Sequence, residues 1–296
     1  MNCFLIFGQL PGLLEEYPMS IKNHLTLKVT IIILCIISIV SSLSTFPQED
    51  YKKSHGYSWE EYDPSFFLKF QSVNDIITEA DSRFSRKQIN TVAYYSYVSS
   101  IVRKRFYHDY SFYSFAENPL AYCAGKLTYG NLAAIVKADD IMKHPMAACS
   151  QQSIVMMEIF KRKGTSYRKM GFDHHYTVEG MIEGEWRYFD TDMEPSFKDK
   201  RESYNKLVLD HKLDSVYSNT KISKAELYKI LGNPHYGKTN ASPAPRAALF
   251  QKICLFFTSN YFFIMAFVIM TLSEVSVYMK RLYKNTMILT HCEVRI

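Results

Sequence analysis

The 296-residue sequence has no Cys-x-x-Cys or His-x-x-x-His spacing, no phosphate-binding or dinucleotide motif and no internal repeat. Those absences argue against zinc fingers and ribbons, nucleotide-binding folds and solenoids. A disulfide framework is missing too. Of six cysteines, Cys3, Cys35 and Cys254 lie in or beside apolar segments and Cys292 lies near the end, leaving Cys123 and Cys149 in the central region. One pair is not a framework, and a bond between the two would remove Cys149 as a thiolate. The net charge of +6 is spread along the chain without a basic stripe interleaved with stacking aromatics, so nucleic acid is not an expected partner.

Two uncharged apolar runs stand out against this background. Val29–Phe46 covers 18 residues behind Lys22 and Lys28, which suits either a membrane anchor or a secretory signal with small Ser41, Ser42 and Ser44 near a cleavage point. Residues 1–28 form an N-terminal segment in which Met19 is an alternative start, because Glu15 and Glu16 are unusual ahead of an export signal. Ile253–Leu272 covers 20 residues and is followed by Lys280, Arg281 and Lys284, the pattern of a transmembrane helix with a cytoplasmic tail at 273–296. The competing reading is a buried pair of core helices, which fits poorly with 20 residues free of charge, glycine and proline. This arrangement predicts a membrane-anchored protein, in contact with lipid, whose soluble domain at 47–245 is extracytoplasmic, periplasmic or at the cell surface.

Between the runs the pattern predicts an α+β domain. Ser72–Phe84 and Arg86–His108 show helical spacing, Phe115–Gly130 reads as loop because of Pro119, Gly125 and Gly130, and Ala133–Met142 reads as a short helix. Asn240–Pro245 reads as a linker, and 196–245 carries no recognisable motif.

Cys149 opens a segment that ends at Lys163-Gly164, with Ile154, Val155, Met156, Met157, Ile159 and Phe160 apolar on most sides. A buried helix is expected, with Lys161, Arg162 and Lys163 suiting its C-terminus and Gly164 its stop. Cys149 then sits in the first turn, where free N–H groups and the helix dipole favour a thiolate and can bind an oxyanion. A buried structural cysteine is the plainer reading of this helix taken alone.

The segment after it alternates, and Glu183-Gly184 suits a tight turn that pairs residues whose numbers sum to 367. His175 then faces Asp192, Asp190 lies diagonal to it opposite Thr177, and all four share one face. His174 points to the other face. A carboxylate within reach of an imidazole fixes its tautomer and stabilises its charged form, and here two candidates are available. Cys, His and Asp are also zinc ligands, but no local spacing supports a metal site, and neither a metal nor a cofactor is expected.

A Cys opening a buried helix, a Gly ending it, a strand reading His-x-x-x-Glu and a Trp-containing strand ending in Asp resemble the transglutaminase-like superfamily with its papain-type core. The matching residues are Cys149, Gly164, His175 with Glu179, Trp186 and Asp190. The resemblance covers about 86–200 and is specific over 140–195; its His-to-Asp interval of fifteen residues selects Asp190 over Asp192. Arg168 loosely matches an Arg common after the helix-ending Gly. The Cys-Ser-Gln-Gln start looks like a bacterial, membrane-anchored branch that often accompanies cell-surface polysaccharide functions. The resemblance implies a buried Cys-bearing helix on an antiparallel sheet, with a catalytic Cys149–His175–Asp190 triad for amide or ester hydrolysis or acyl transfer without a cofactor. The implied substrate is a peptide, protein or cell-envelope polymer. An inactive binding scaffold in envelope or polysaccharide assembly, or a membrane assembly subunit, are the other readings. The pattern supplies no upstream side-chain donor for an oxyanion; Gln151 and Gln152 follow the cysteine.

Overall fold

The computed structural model describes residues 57, 59–197 and 200–293. Thr45–Ser259 make one unit, and Asn260–Ile296 belong with Met1–Ser44 to another, of which only part of the last helix is described.

The first unit begins with helices α1 (Pro64–Lys69), α2 (Val73–Arg83), α3 (Val92–Arg105), α4 (Pro119–Leu127) and α5 (Ala138–Ile141). The helix expected from Ser72 is present: Ser72 accepts from Asp75 N–H, and Asp75 reciprocates at the backbone of Ser72. The helix expected from Arg86 starts six residues later. Residues 86–90 are a turn that ends on Asn90 at φ +66°, and Thr91 caps α3. The expected loop at 115–130 contains α4, because Pro119 takes the first helical position, where its missing N–H costs nothing, and Asn118 caps Ala121 N–H at 3.2 Å. Of 133–142 only Ala138–Ile141 is α-helical, since Ala134 bridges Phe112 and the Ile135 N–H is taken by Ser111 O at 3.0 Å.

The Cys149 helix, α6 (Cys149–Arg162), is buried over ten of its residues and stops at Gly164. Strands β1 (Tyr167–Gly171), β2 (Tyr176–Ile182) and β3 (Glu185–Phe189) follow. After them come α7 (Tyr204–Leu209), α8 (Leu213–Val216), α9 (Lys224–Ile230) and β4 (His235–Tyr236). The sheet order is β3-β2-β1-β4, with antiparallel pairing throughout. Ile182 pairs Glu185 and Val178 pairs Phe189, which is the expected register. Glu183 (φ +54°) and Gly184 (φ +78°) both adopt the left-handed conformation a two-residue turn requires. β1 carries no alternation, because Arg168 and Lys169 occupy its centre, and it escapes a reading by pattern.

The sheet is covered on both faces. Val178, Ile182 and Phe189 join the helices in a core with Val155, Ile159 and Phe160, while Met170 and Tyr188 face a second cluster with Tyr204, Leu207, Leu213, Tyr217 and Leu227. The α6-facing contact is close: a Cβ on Gly180 would lie 2.6 Å from two ring carbons of Phe160. Gly180→Ala is therefore expected to destabilise the domain by about 1–3 kcal/mol, because Phe160 is itself fully buried. Urea unfolding checks this through a lower midpoint at unchanged slope.

One expectation is corrected. Among the described residues no helix is long and apolar enough to cross a membrane, which removes the transmembrane helix expected at Ile253–Leu272. That run is not a segment of its own but part of α10 (Pro245–Glu293), which continues through Glu274, Lys280 and Arg281. Its leading end is committed to protein. Gln251, fully buried, donates to Ala134 O at 2.6 Å, Phe250 packs on the main core, and Cys254 joins it. Thr258-Ser259-Asn260 then interrupts the apolar side chains. The other expected span, 29–46, lies outside the described residues.

Candidate active site

Cys149 is the first residue of α6, and the chain leading to it is fastened before the helix begins. Ala147 N–H bonds Tyr107 O at 3.0 Å, and Tyr107 N–H bonds Pro145 O at 3.1 Å. Gln151 completes the fastening. Its Oε1 accepts from Ser111 N–H (2.8 Å) and Ala148 N–H (3.2 Å), and its Nε2 donates to Ser111 O (2.8 Å) and Ile135 O (2.9 Å). A buried amide with all four sites filled adopts one position. Gln151 therefore fixes the backbone that aims Cys149, instead of facing a substrate.

His175 lies just before β2, its carbonyl accepting from Phe172 N–H at 2.8 Å and its ring stacked on Phe172. Nε2 shares a 2.9 Å hydrogen bond with Asp190 Oδ2, and the ring's other side meets Cys149. Burial opposes the imidazolium, but the charges of Asp190 and Cys149 outweigh it and hold the ring's pKa well above the ordinary histidine range.

Asp190 is completely buried. Burial pushes its pKa up, yet the His175 charge and the bonds it accepts push harder, so it falls below the usual carboxylate range. Those bonds use both oxygens: Oδ2 also accepts from Tyr217 O–H at 2.8 Å, and Oδ1 from Asp192 N–H (3.2 Å) and Met193 N–H (3.1 Å). The last two make a tight turn at the end of β3.

That turn decides between the two aspartates. Extending the hairpin register sets Asp192 against His175, but pairing ends at Val178–Phe189, and the turn redirects the chain. The diagonal carboxylate reaches the imidazole. Asp192 Oδ1 instead bonds His108 Nδ1 at 2.8 Å and accepts from Gln152 Nε2 at 3.2 Å. Burial lowers the pKa of His108, and the bond and charge of Asp192 raise it by more. Asp192 nevertheless stays near the reacting atoms: one donor atom each from Cys149, His175 and Asp192 lies within 4.8 Å of the others.

The three candidates Cys149, His175 and Asp190 are thus neighbours in space. The other residues of the pattern are not part of this cluster. Glu179, fully buried, accepts from Arg168 Nε (2.8 Å) and Nη2 (2.6 Å) and from Tyr204 N–H (2.8 Å). The Arg168 guanidinium lies 4.3 Å from the ring centres of both Trp186 and Tyr236. Arg168, Glu179, Trp186 and Tyr236 therefore tie β1, β2, β3, β4 and α7 together, a structural role for three residues that the sequence pattern singled out.

Three residues around the site received no role from the sequence pattern. Tyr217, in the segment without a motif, bonds Asp190 and also Tyr188 O–H at 2.7 Å. His108 meets Asp192 across 84 residues of chain. Gln152 was legible in principle, since it lies three residues after Cys149 on the same side of the helix. No family model, curated protein or solved structure matches this chain.

Proposed function

We propose that the chain is a cysteine-dependent amide or ester hydrolase or acyltransferase acting on a peptide, protein or polymer substrate. The observation that carries this reading is His175 held between Asp190 and Cys149, with the cysteine at the N-terminus of a buried helix. The resemblance to the transglutaminase-like superfamily supports the same roles. In the reaction Sγ attacks the carbonyl carbon, forming a C–S bond, and the N–H groups of Cys149 and Ser150 at the start of α6 donate to the oxyanion that develops. Collapse of the tetrahedral adduct breaks the bond to the leaving group, which takes the His175 proton. An amine or water then attacks the thioester, His175 takes its proton, and the Cys149 thiolate is regenerated. Asp190 orients the imidazole and stabilises its charged form throughout.

A second reading, a binding domain that keeps the arrangement without turnover, is favoured by the burial of the group, since Cys149 exposes only 7 % of its surface. Labelling of the full chain with a thiol-directed acylating probe, followed by peptide mapping, separates the two. The expected result is modification at Cys149 ahead of the more exposed Cys123. Modification at Cys123 alone overturns the enzymatic reading.

A further inference from the structure

We propose that Cys149, His175 and Asp192 form a binding site for a thiophilic divalent cation, zinc in particular, and that the bound ion blocks the nucleophile. The blocking rests on the function proposed above; the binding does not.

Three observations carry the site. The first is convergence: a thiol sulfur, an imidazole nitrogen and a carboxylate oxygen lie within 4.8 Å of one another, each on a residue that is buried. Around a tetrahedral zinc ion such donors stand roughly 3.5 Å apart, so about 1 Å of contraction closes the set. A mixed sulfur, nitrogen and oxygen set suits zinc and cobalt rather than magnesium or calcium.

The second observation is the support behind each donor. Nε2 of His175 is committed to Asp190, which directs the Nδ1 lone pair of the neutral ring toward the cation. Asp192 has Oδ1 held by His108 and Gln152, which leaves Oδ2 to turn toward the ion. Asp190 cannot substitute, because both of its oxygens already accept two bonds. The carboxylate that the triad does not use is therefore the one placed to ligate.

The third is an unpaired acceptor. Gln152 is buried, its Nε2 donates to Ala147 O (3.0 Å) and Asp192, and its Oε1 has no partner among the described residues. Three protein ligands leave a fourth zinc position for water, and Gln152 Oε1 can accept a hydrogen bond from that water. On binding, Zn–S, Zn–N and Zn–O bonds form, and the proton of the His175 imidazolium leaves to solvent. The sulfur lone pair that would attack a carbonyl is then shared with the metal.

The test uses the full chain, stripped with a chelator and titrated with Zn²⁺ by calorimetry and with Co²⁺ by absorption. One zinc per chain is expected, with a thiolate-to-cobalt charge-transfer band in the near ultraviolet. Asp192→Asn should weaken zinc binding about 100-fold, and His108→Gln, which acts through Asp192, about 10–100-fold. The wild-type cobalt spectrum needs no variant: absence of the thiolate band, or of stoichiometric zinc, overturns the site. Retention of full affinity in folded Asp192→Asn also overturns it. Stoichiometric zinc should abolish acylating-probe labelling of Cys149, and chelator should restore it. Equal labelling with and without zinc defeats the blocking while the enzymatic reading stands. Zinc binding by a protein whose Cys149 never labels upholds the site and defeats the enzymatic reading.

Discussion

Cys149→Ala abolishes turnover of any amide or ester the protein cleaves, by a factor on the order of 10⁶, and leaves the fold in place. The fold is expected to survive because the helix start does not depend on the sulfur. Six hydrogen bonds fasten that segment: Ala147 to Tyr107, Tyr107 to Pro145, and four at the Gln151 amide. Removing one sulfur atom from a buried site costs about 1 kcal/mol. Far-ultraviolet circular dichroism and a urea midpoint check the fold, and turnover of a generic thioester or activated ester checks the chemistry. Wild-type turnover by the alanine variant assigns the nucleophile elsewhere. Loss of structure together with turnover says nothing for the assignment, so Cys149→Ser is the companion variant: it keeps the shape and removes only the thiol's reactivity.

The two aspartates separate next. Asp190→Asn is expected to lower kcat between about a hundredfold and ten-thousandfold, because the group that orients His175 and stabilises its charge becomes neutral. An asparagine there also presents an NH₂ in place of one oxygen that accepts two bonds, opposing either Tyr217 O–H and His175 Nε2 or Asp192 N–H and Met193 N–H with a donor. Asp192→Asn acts on His108 and Gln152 and reaches His175 only as a neighbouring charge, so a loss of about tenfold or less is expected. The pH profile adds a readout that a merely structural defect would not move. His175 owes its raised pKa first to the Asp190 charge overcoming burial, so the alkaline limb of the profile should shift to lower pH in Asp190→Asn. Equal losses in the two variants would make both carboxylates partners of the imidazole. The reverse order would show that Asp192 is the orienter in solution.

What a local pattern can carry, the sequence carried. The α6 helix was legible from Ile154 to Gly164 because burial on most sides, basic residues at the end and a glycine stop are all properties of adjacent residues. The hairpin register was legible for the same reason, since two-residue turns couple strands that are contiguous, and Glu183-Gly184 names the turn. From these two elements Cys149, His175 and Asp190 could be nominated, though the choice between Asp190 and Asp192 needed the interval seen in the superfamily the sequence resembles, because a strand register cannot foresee where pairing ends. Tertiary structure decided that point through the turn at Asp190, whose side chain takes two backbone N–H groups and bends the chain out of register. It also decided everything that joins distant segments: Tyr217 beneath Asp190, His108 on Asp192, and Gln251 seated against Ala134. The apolar run at Ile253–Leu272 was misread for that reason. Hydropathy records that side chains are apolar, but not where the fold puts them: Cys254 joins the core, whereas Ile253, Phe256 and Phe257 in the same run stay exposed.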